Sequence, residues 1–216
     1  MRLAFEEAGE SYVDVARERG GMQKMMKLMS APPRDATEPF APPFLRHGKM
    51  LVAQTANILL YVAPRLGLVP KDEASRLRAH QLQLTVTDFV AEIHDTHHPV
   101  AVSQYYEDQK SEAKKRARVF VRERIPKFLG YFERAAGPKM VGRSISYVDL
   151  SMFQIVEGLS YAFPRAMKRM HERIPKLLAL RDTVASRPRI AAYVASGRRL
   201  PFDESGIFRH YRELDS

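Results

Sequence analysis

The chain has no cysteine among its 216 residues. That absence excludes a disulfide scaffold, a protein thiolate acting as nucleophile, and any zinc site built on sulfur. It also has no uncharged apolar run approaching the ~20 residues that a membrane-spanning helix requires. The opening stretch, MRLAFEEAGESYVDVARERGG, lacks an apolar core followed by small residues and so is not a secretory signal. No internal repeat or low-complexity tract is present. A cytoplasmic protein with no membrane partner is the expectation.

What is present is ordinary for a globular chain. Apolar residues make up 45% and charged residues 28%, values that exclude the disordered and collagenous classes. The length permits one large domain or two small ones, and two are expected. A formal charge of +10 raises the question of an anionic partner. The basic residues are dispersed, however. The densest cluster, Lys114-Lys115-Arg116-Ala117-Arg118, has Glu112 and Glu123 as neighbours and lies in a stretch of helical period. It reads as a solvated helix face, and no nucleic-acid partner is expected.

Residues 1 to 8 have the pattern of an amphipathic helix, with Gly9 as a left-handed terminator. Ser11 to Val15 alternates as a short strand does, and the Met- and Pro-rich stretch from Gly20 to Pro43 reads as loop or broken helix. Within it Met22, Met25, Met26 and Met29 have helical spacing, expected to serve core packing. Phe44-Leu45 and Met50-Leu51-Val52 flank a Gly turn as a hairpin, and a helix from Thr55 to Ala63 follows. Arg65 to Pro70 is a linker candidate. Beyond it the sequence is helical throughout: 73 to 94, 108 to 136 with a kink at Pro126, about 147 to 163, 174 to 186 and 188 to 196. Ser146 and Asp149 have capping-box spacing, with Ile145 and Leu150 placed as a hydrophobic staple. The segment after Gly197 has no period and is expected on the surface.

This order of motifs resembles the cytosolic glutathione transferases over nearly the whole chain. The resemblance rests on Pro43-Phe44-Leu45 before a hairpin, Gln54-Thr55 opening the next helix, Leu66-Gly67-Leu68 in the linker, Ser146-Tyr147-Val148-Asp149-Leu150, and Pro188-Arg189-Ile190. Gln-Thr in place of Glu-Ser points to the branch holding the alpha, mu, pi and sigma classes, with a sigma-like protein preferred. The fold implied is an α/β thioredoxin-like N-terminal domain over residues 1–66, N-terminally truncated, followed by an all-α C-terminal domain over residues 72–216. The activity implied is conjugation of the glutathione thiol to small hydrophobic electrophiles, with glutathione as substrate, no metal, and a homodimer as the working form. A non-catalytic transferase-like binding or scaffold protein is the alternative.

The site residues follow from that comparison and from elementary chemistry. A helix N-terminus has free amides and partial positive charge, so Gln54 and Thr55 suit a carboxylate, which the resemblance assigns to the γ-glutamyl end of glutathione. Thr55 as a plain helix cap is the alternative. The resemblance gives the residue before a cis-proline the task of pairing with the cysteinyl part of glutathione through its backbone. That residue is Pro42 if Pro43 takes the cis bond, as the spacing to Gln54 favours, or Ala41 if Pro42 does. Pro42 lacks an N–H, which removes one such hydrogen bond at about 0.5 to 1.5 kcal/mol. Asp88 matches an acid that reaches glutathione across the dimer, with a solvated helix Asp as the competing reading. His94 and His98 share a helix face at metal-ligand spacing with Asp95 beside them, yet Pro99 disfavours helical geometry at His98. A metal site, cap and surface histidines, or the lining of an electrophile pocket are the alternatives. The pocket reading takes His94, His98 and Tyr105.

No catalytic residue is assigned. The thiolate is the nucleophile, and the family stabilises it with a hydroxyl or thiol after a first strand, roughly fifteen residues of strand, turn and helix. By the resemblance the chain starts inside the helix that follows, and Tyr12 falls in the second strand. Either Met1 is internal to a longer active transferase, or the chain is whole and serves binding alone.

Overall fold

The computed structural model describes residues 1–31 and 38–215. A first helix, α1 (Arg2–Ala8), ends at Gly9, whose φ of 71° is the left-handed conformation expected of it. A Cβ on Gly9 would lie 2.7 Å from the Arg189 guanidinium and displace it. That guanidinium donates to the Glu7 carbonyl, and the buried Glu7 carboxylate is ion-paired with Arg187. These contacts hold α1 on the helical part of the molecule.

Two local expectations are overturned next. Ser11 to Val15 is not a strand but an unpaired segment leading into a short 3-10 turn at Val15–Arg17. Alternation makes a strand only where a neighbouring strand supplies ladder hydrogen bonds, and here Tyr12 turns back to donate to Glu6 instead (2.9 Å). The region read as loop or broken helix contains a regular helix, α2 (Gly21–Ser30). Its start needs glycine twice, because Gly20 is left-handed and a Cβ on Gly21 would meet the Val15 carbonyl. Core packing by its methionines is also corrected: Met22 and Met26 are 54% and 55% exposed. Residues 32–37 of the expected loop lie outside the described residues.

The peptide bond between Pro42 and Pro43 is cis. Strands β1 (Phe44–His47) and β2 (Met50–Ala53) then pair antiparallel, Leu45 opposite Val52, around Gly48 at φ 60°. Helix α3 (Thr55–Val62) follows directly. Val52, Ile58 and Val62 form a small cluster of their own, onto which Leu45, Phe5 and Tyr61 pack.

The remainder is helical. After a turn with Gly67 at positive φ, α4 (Glu73–Asp95) is capped by Asp72 accepting from the Ser75 amide at 2.8 Å. Helices α5 (Lys110–Val119) and α6 (Ile125–Ala135) are joined by a π-helical turn over Phe120–Arg124. That turn is the form taken by the kink expected at Pro126, whose ring removes an amide donor from the ladder. Lys114, Lys115 and Arg118 are exposed while Ala113 and Ala117 are buried, and Arg116 is within ion-pair distance of Glu92 and Asp95.

Helices α7 (Tyr147–Ala162), α8 (Pro164–Met170), α9 (Pro175–Ala185) and α10 (Pro188–Ala195) complete the bundle. Asp149, fully buried, accepts from the amides of Ser146 (2.8 Å) and Met140 (2.9 Å) and from the Ser146 hydroxyl. The Tyr147 amide donates to Leu68 O at 2.9 Å, so the start of α7 is tied to the linker. The final segment departs from the surface path expected of it. Phe208 and Leu214 are buried, Gly158 leaves room for the Phe208 ring, and Asp215 caps α8 by accepting from Arg165 and Ala166.

Candidate functional site

One large cleft of about 2190 Å³ separates the hairpin from the helical bundle. Pro42, Pro43 and strand β1 line it, as does the segment Glu10 to Ala16. One edge of β1 is unpaired, since β1 pairs with β2 alone among the described residues. The start of α3 supplies Gln54 and Thr55, and the faces of α4 and α7 make the far wall.

Gln54 is the one described non-glycine residue with positive φ, at 69° with ψ 124°. Such a backbone costs about 1–3 kcal/mol and persists only where surroundings impose it, most often at functional sites. No side chain caps α3. Its first amides therefore remain open beside the cleft, where an anion is favoured by both hydrogen bonding and the helix dipole. Arg46, Arg65, Arg199 and Lys27 also line the cleft. Arg65 lies over the Tyr61 ring at 3.9 Å, and the Tyr61 hydroxyl meets His47 Nδ1 at 2.8 Å. Tyr12 lines the same cavity with its hydroxyl committed to Glu6; burial first, and that carboxylate second, raise its pKa above the usual phenol value.

The structure thus brings Pro42, Pro43, Gln54 and Thr55 to one cleft. Asp88, expected to act across a dimer, is exposed on α4. His94, His98 and Tyr105 lie outside the cleft lining. The physical reason is the length of α4: its 23 residues carry the far end away from the hairpin. There His94, His97 and His98 pack ring against ring at 4.9–5.2 Å, and Tyr105 is 78% exposed. His97 is the buried member, its Nε2–H donating to Ile207 O at 2.9 Å. Burial lowers its pKa from 6.5 to about 4, with Arg209 and the two other histidines adding to the effect. No metal-holding group of acids and histidines occurs among the described residues.

Four cleft residues went unremarked as site residues in the sequence: His80 and Gln83 on α4, Tyr147 and Ser151 on α7. Their signal is a polar stripe at helical spacing on faces that are otherwise apolar.

The comparisons with known proteins agree with this geometry. Residues 94–197 match the family model described as glutathione S-transferase, C-terminal domain. A glutathione S-transferase of Plasmodium yoelii yoelii is 23% identical over 158 residues, covering 71% of this chain and 67% of that protein. The solved structure of prostaglandin synthase D of Nilaparvata lugens superposes with a TM-score of 0.69 at 19% identity, over 93% of this chain and 92% of that one. Rat hPGDS complexed with a quinoline gives the same TM-score at 17% identity, over 93% and 90% of the two chains. The structural likenesses establish the fold, a thioredoxin-like N-terminal part followed by an all-α part. The matched C-terminal domain, the curated relatives and the shared fold together support a member of the cytosolic glutathione S-transferase family.

Proposed function

We propose that the chain binds glutathione in this cleft and conjugates its thiol to small hydrophobic electrophiles. The observation that carries the reading is the convergence of Pro42, Pro43, Gln54 and Thr55 on the open N-terminus of α3. A carboxylate of glutathione sits at the α3 amides, with the Thr55 hydroxyl as an added donor. The cysteinyl backbone lies against the free edge of β1, with Pro42 offering a carbonyl but no amide. The thiolate sulfur then attacks the electrophilic carbon; with an aryl halide the new C–S bond replaces the carbon–halogen bond and halide departs. We place the protein in the cytoplasm and assign it a detoxifying role, as a homodimer in which Asp88 serves the partner's site. Sedimentation tests the dimer.

One observation favours a second reading, a glutathione-binding module without turnover. The Tyr12 hydroxyl donates to Glu6, so it is directed at a carboxylate rather than at a thiolate. Retention on glutathione resin together with conjugation of 1-chloro-2,4-dinitrobenzene supports the transferase. Retention without conjugation supports the binding module, and the absence of both removes each of them.

A further inference from the structure

Two residues lining the cleft carry buried polar atoms with no hydrogen-bond partner among the described residues: the Tyr147 hydroxyl and His80 Nδ1. Tyr147 is only 1% exposed. A buried hydroxyl left unpaired is destabilising by about 1–3 kcal/mol. Both residues line the cleft, so a ligand entering it can supply the partner that these two atoms lack.

Their placement is regular. Helices α4 and α7 both begin at the linker, since Asp72 caps α4 and the Tyr147 amide bonds Leu68 O, so the two run side by side in the same direction. Gln83 is level with Ser151, whose hydroxyl donates to the Gln83 carboxamide oxygen at 2.7 Å. His80, Gln83 and Thr87 follow one another at i, i+3 and i+7 on α4. Tyr147, Ser151 and Gln154 do so at i, i+4 and i+7 on α7, and all six line the cleft. The result is a polar stripe set between the apolar side chains of Leu84, Leu150 and Phe208.

The stripe is rich in donors and poor in charge. Burial pushes the Tyr147 pKa up to about 12, so its hydroxyl remains a donor at neutral pH. The Gln83 oxygen is occupied by Ser151, which leaves its amino group to donate. Neither helix contributes a carboxylate to the cleft; its acids, Glu10, Asp14 and Asp203, stand on other walls. Arg76, whose charge acts on Tyr147, is positive.

We infer that this wall is a binding subsite for an acceptor oxygen, carbonyl or carboxylate, carried by an otherwise apolar ligand. The oxygen accepts from the Tyr147 hydroxyl and from His80, while the ligand body lies on the flanking apolar side chains. The subsite shares the cleft with the proposed glutathione site but does not depend on it.

The test is calorimetric titration of the full chain with 2-naphthoate, 2-acetylnaphthalene and 2-ethylnaphthalene, which share one apolar body. At least one oxygen-bearing ligand binds roughly tenfold more tightly than the ethyl compound, and Tyr147→Phe removes that difference. Whichever of the two binds more tightly identifies the oxygen as carbonyl or carboxylate. Tyr147→Phe removes an unpaired hydroxyl, so its melting temperature does not fall; His80→Leu repeats the test at the second donor. Equal binding of all three ligands, or an unchanged preference in both variants, overturns the inference. Retention on glutathione resin is measured in parallel. A chain that ignores glutathione yet prefers the oxygen-bearing ligands keeps this subsite and loses the transferase reading, and the opposite pair of results does the reverse.

Discussion

From α4 to α10 the helices share one continuous core, whereas the hairpin and one face of α3 gather around the small cluster of Val52, Ile58 and Val62. The helical part is closed by residues far apart in sequence, such as Asp215 at the start of α8 and Phe208 on Gly158. The hairpin part is two strands, a size that is marginal without support. Its support comes from the bundle, through Leu3, Ala4, Leu59 and Ala63, which belong to the larger core. The contrast teaches a division of labour: the bundle carries stability, and the thin unit leaning on it turns the start of α3 and strand β1 to the cleft.

The sharpest way to break that contrast is to damage the bundle far from the cleft. Asp149→Ala removes three hydrogen bonds inside the core and leaves the Ser146 and Met140 amides unpaired. We expect a loss of about 3–4 kcal/mol in denaturant melts, with hairpin and bundle unfolding together. Separate transitions would show that the hairpin unit does not lean on the bundle.

A second effect belongs to pH. His97 is neutral in the folded state down to about pH 4, while its ordinary value is 6.5. Below that ordinary value the unfolded chain takes up the proton and the folded one does not, so stability falls as pH drops from 6.5 towards 4. The expected loss is about 3 kcal/mol by proton linkage. Melts across this window check it, and His97→Gln flattens the dependence; an equally steep profile in that variant would assign the effect elsewhere.

The smallest effect separates stability from binding within the thin half itself. Gln54→Gly relieves a positive φ and is expected to stabilise the fold by ~1 kcal/mol while weakening glutathione retention. A variant that loses stability as well would mean that Gln54 is structural rather than part of the ligand site.

Much of the architecture was legible because its signals are local. The Ser146–Asp149 pair marks a helix start by bonds made within a few residues, Pro188 does so by its fixed φ, and Gly48 marks the hairpin. Pro42, Pro43, Gln54 and Thr55 could be read as a group because they lie within thirteen positions of one another in sequence. What escaped depends on partners far away in the chain. The strand expected at Ser11 to Val15 needed a neighbour that the sheet does not provide, and α2 starts where Gly21 meets the Val15 carbonyl. His94 and His98 looked like pocket residues by type, but only the length and direction of α4 decide which cavity a residue near its end can reach. The stripe of His80, Gln83, Tyr147 and Ser151 was visible only as two unrelated helical patterns until α4 and α7 were brought alongside each other.

The account's central claim is that the α3 N-terminus and the adjoining edge of β1 bind glutathione. Calorimetric titration of glutathione into the chain and into Thr55→Val tests it most directly. Saturable binding by the native chain, weakened about five- to tenfold in the variant with stability changed by less than ~1 kcal/mol, is the predicted result. No heat of binding, or equal affinity in the two proteins, would contradict it.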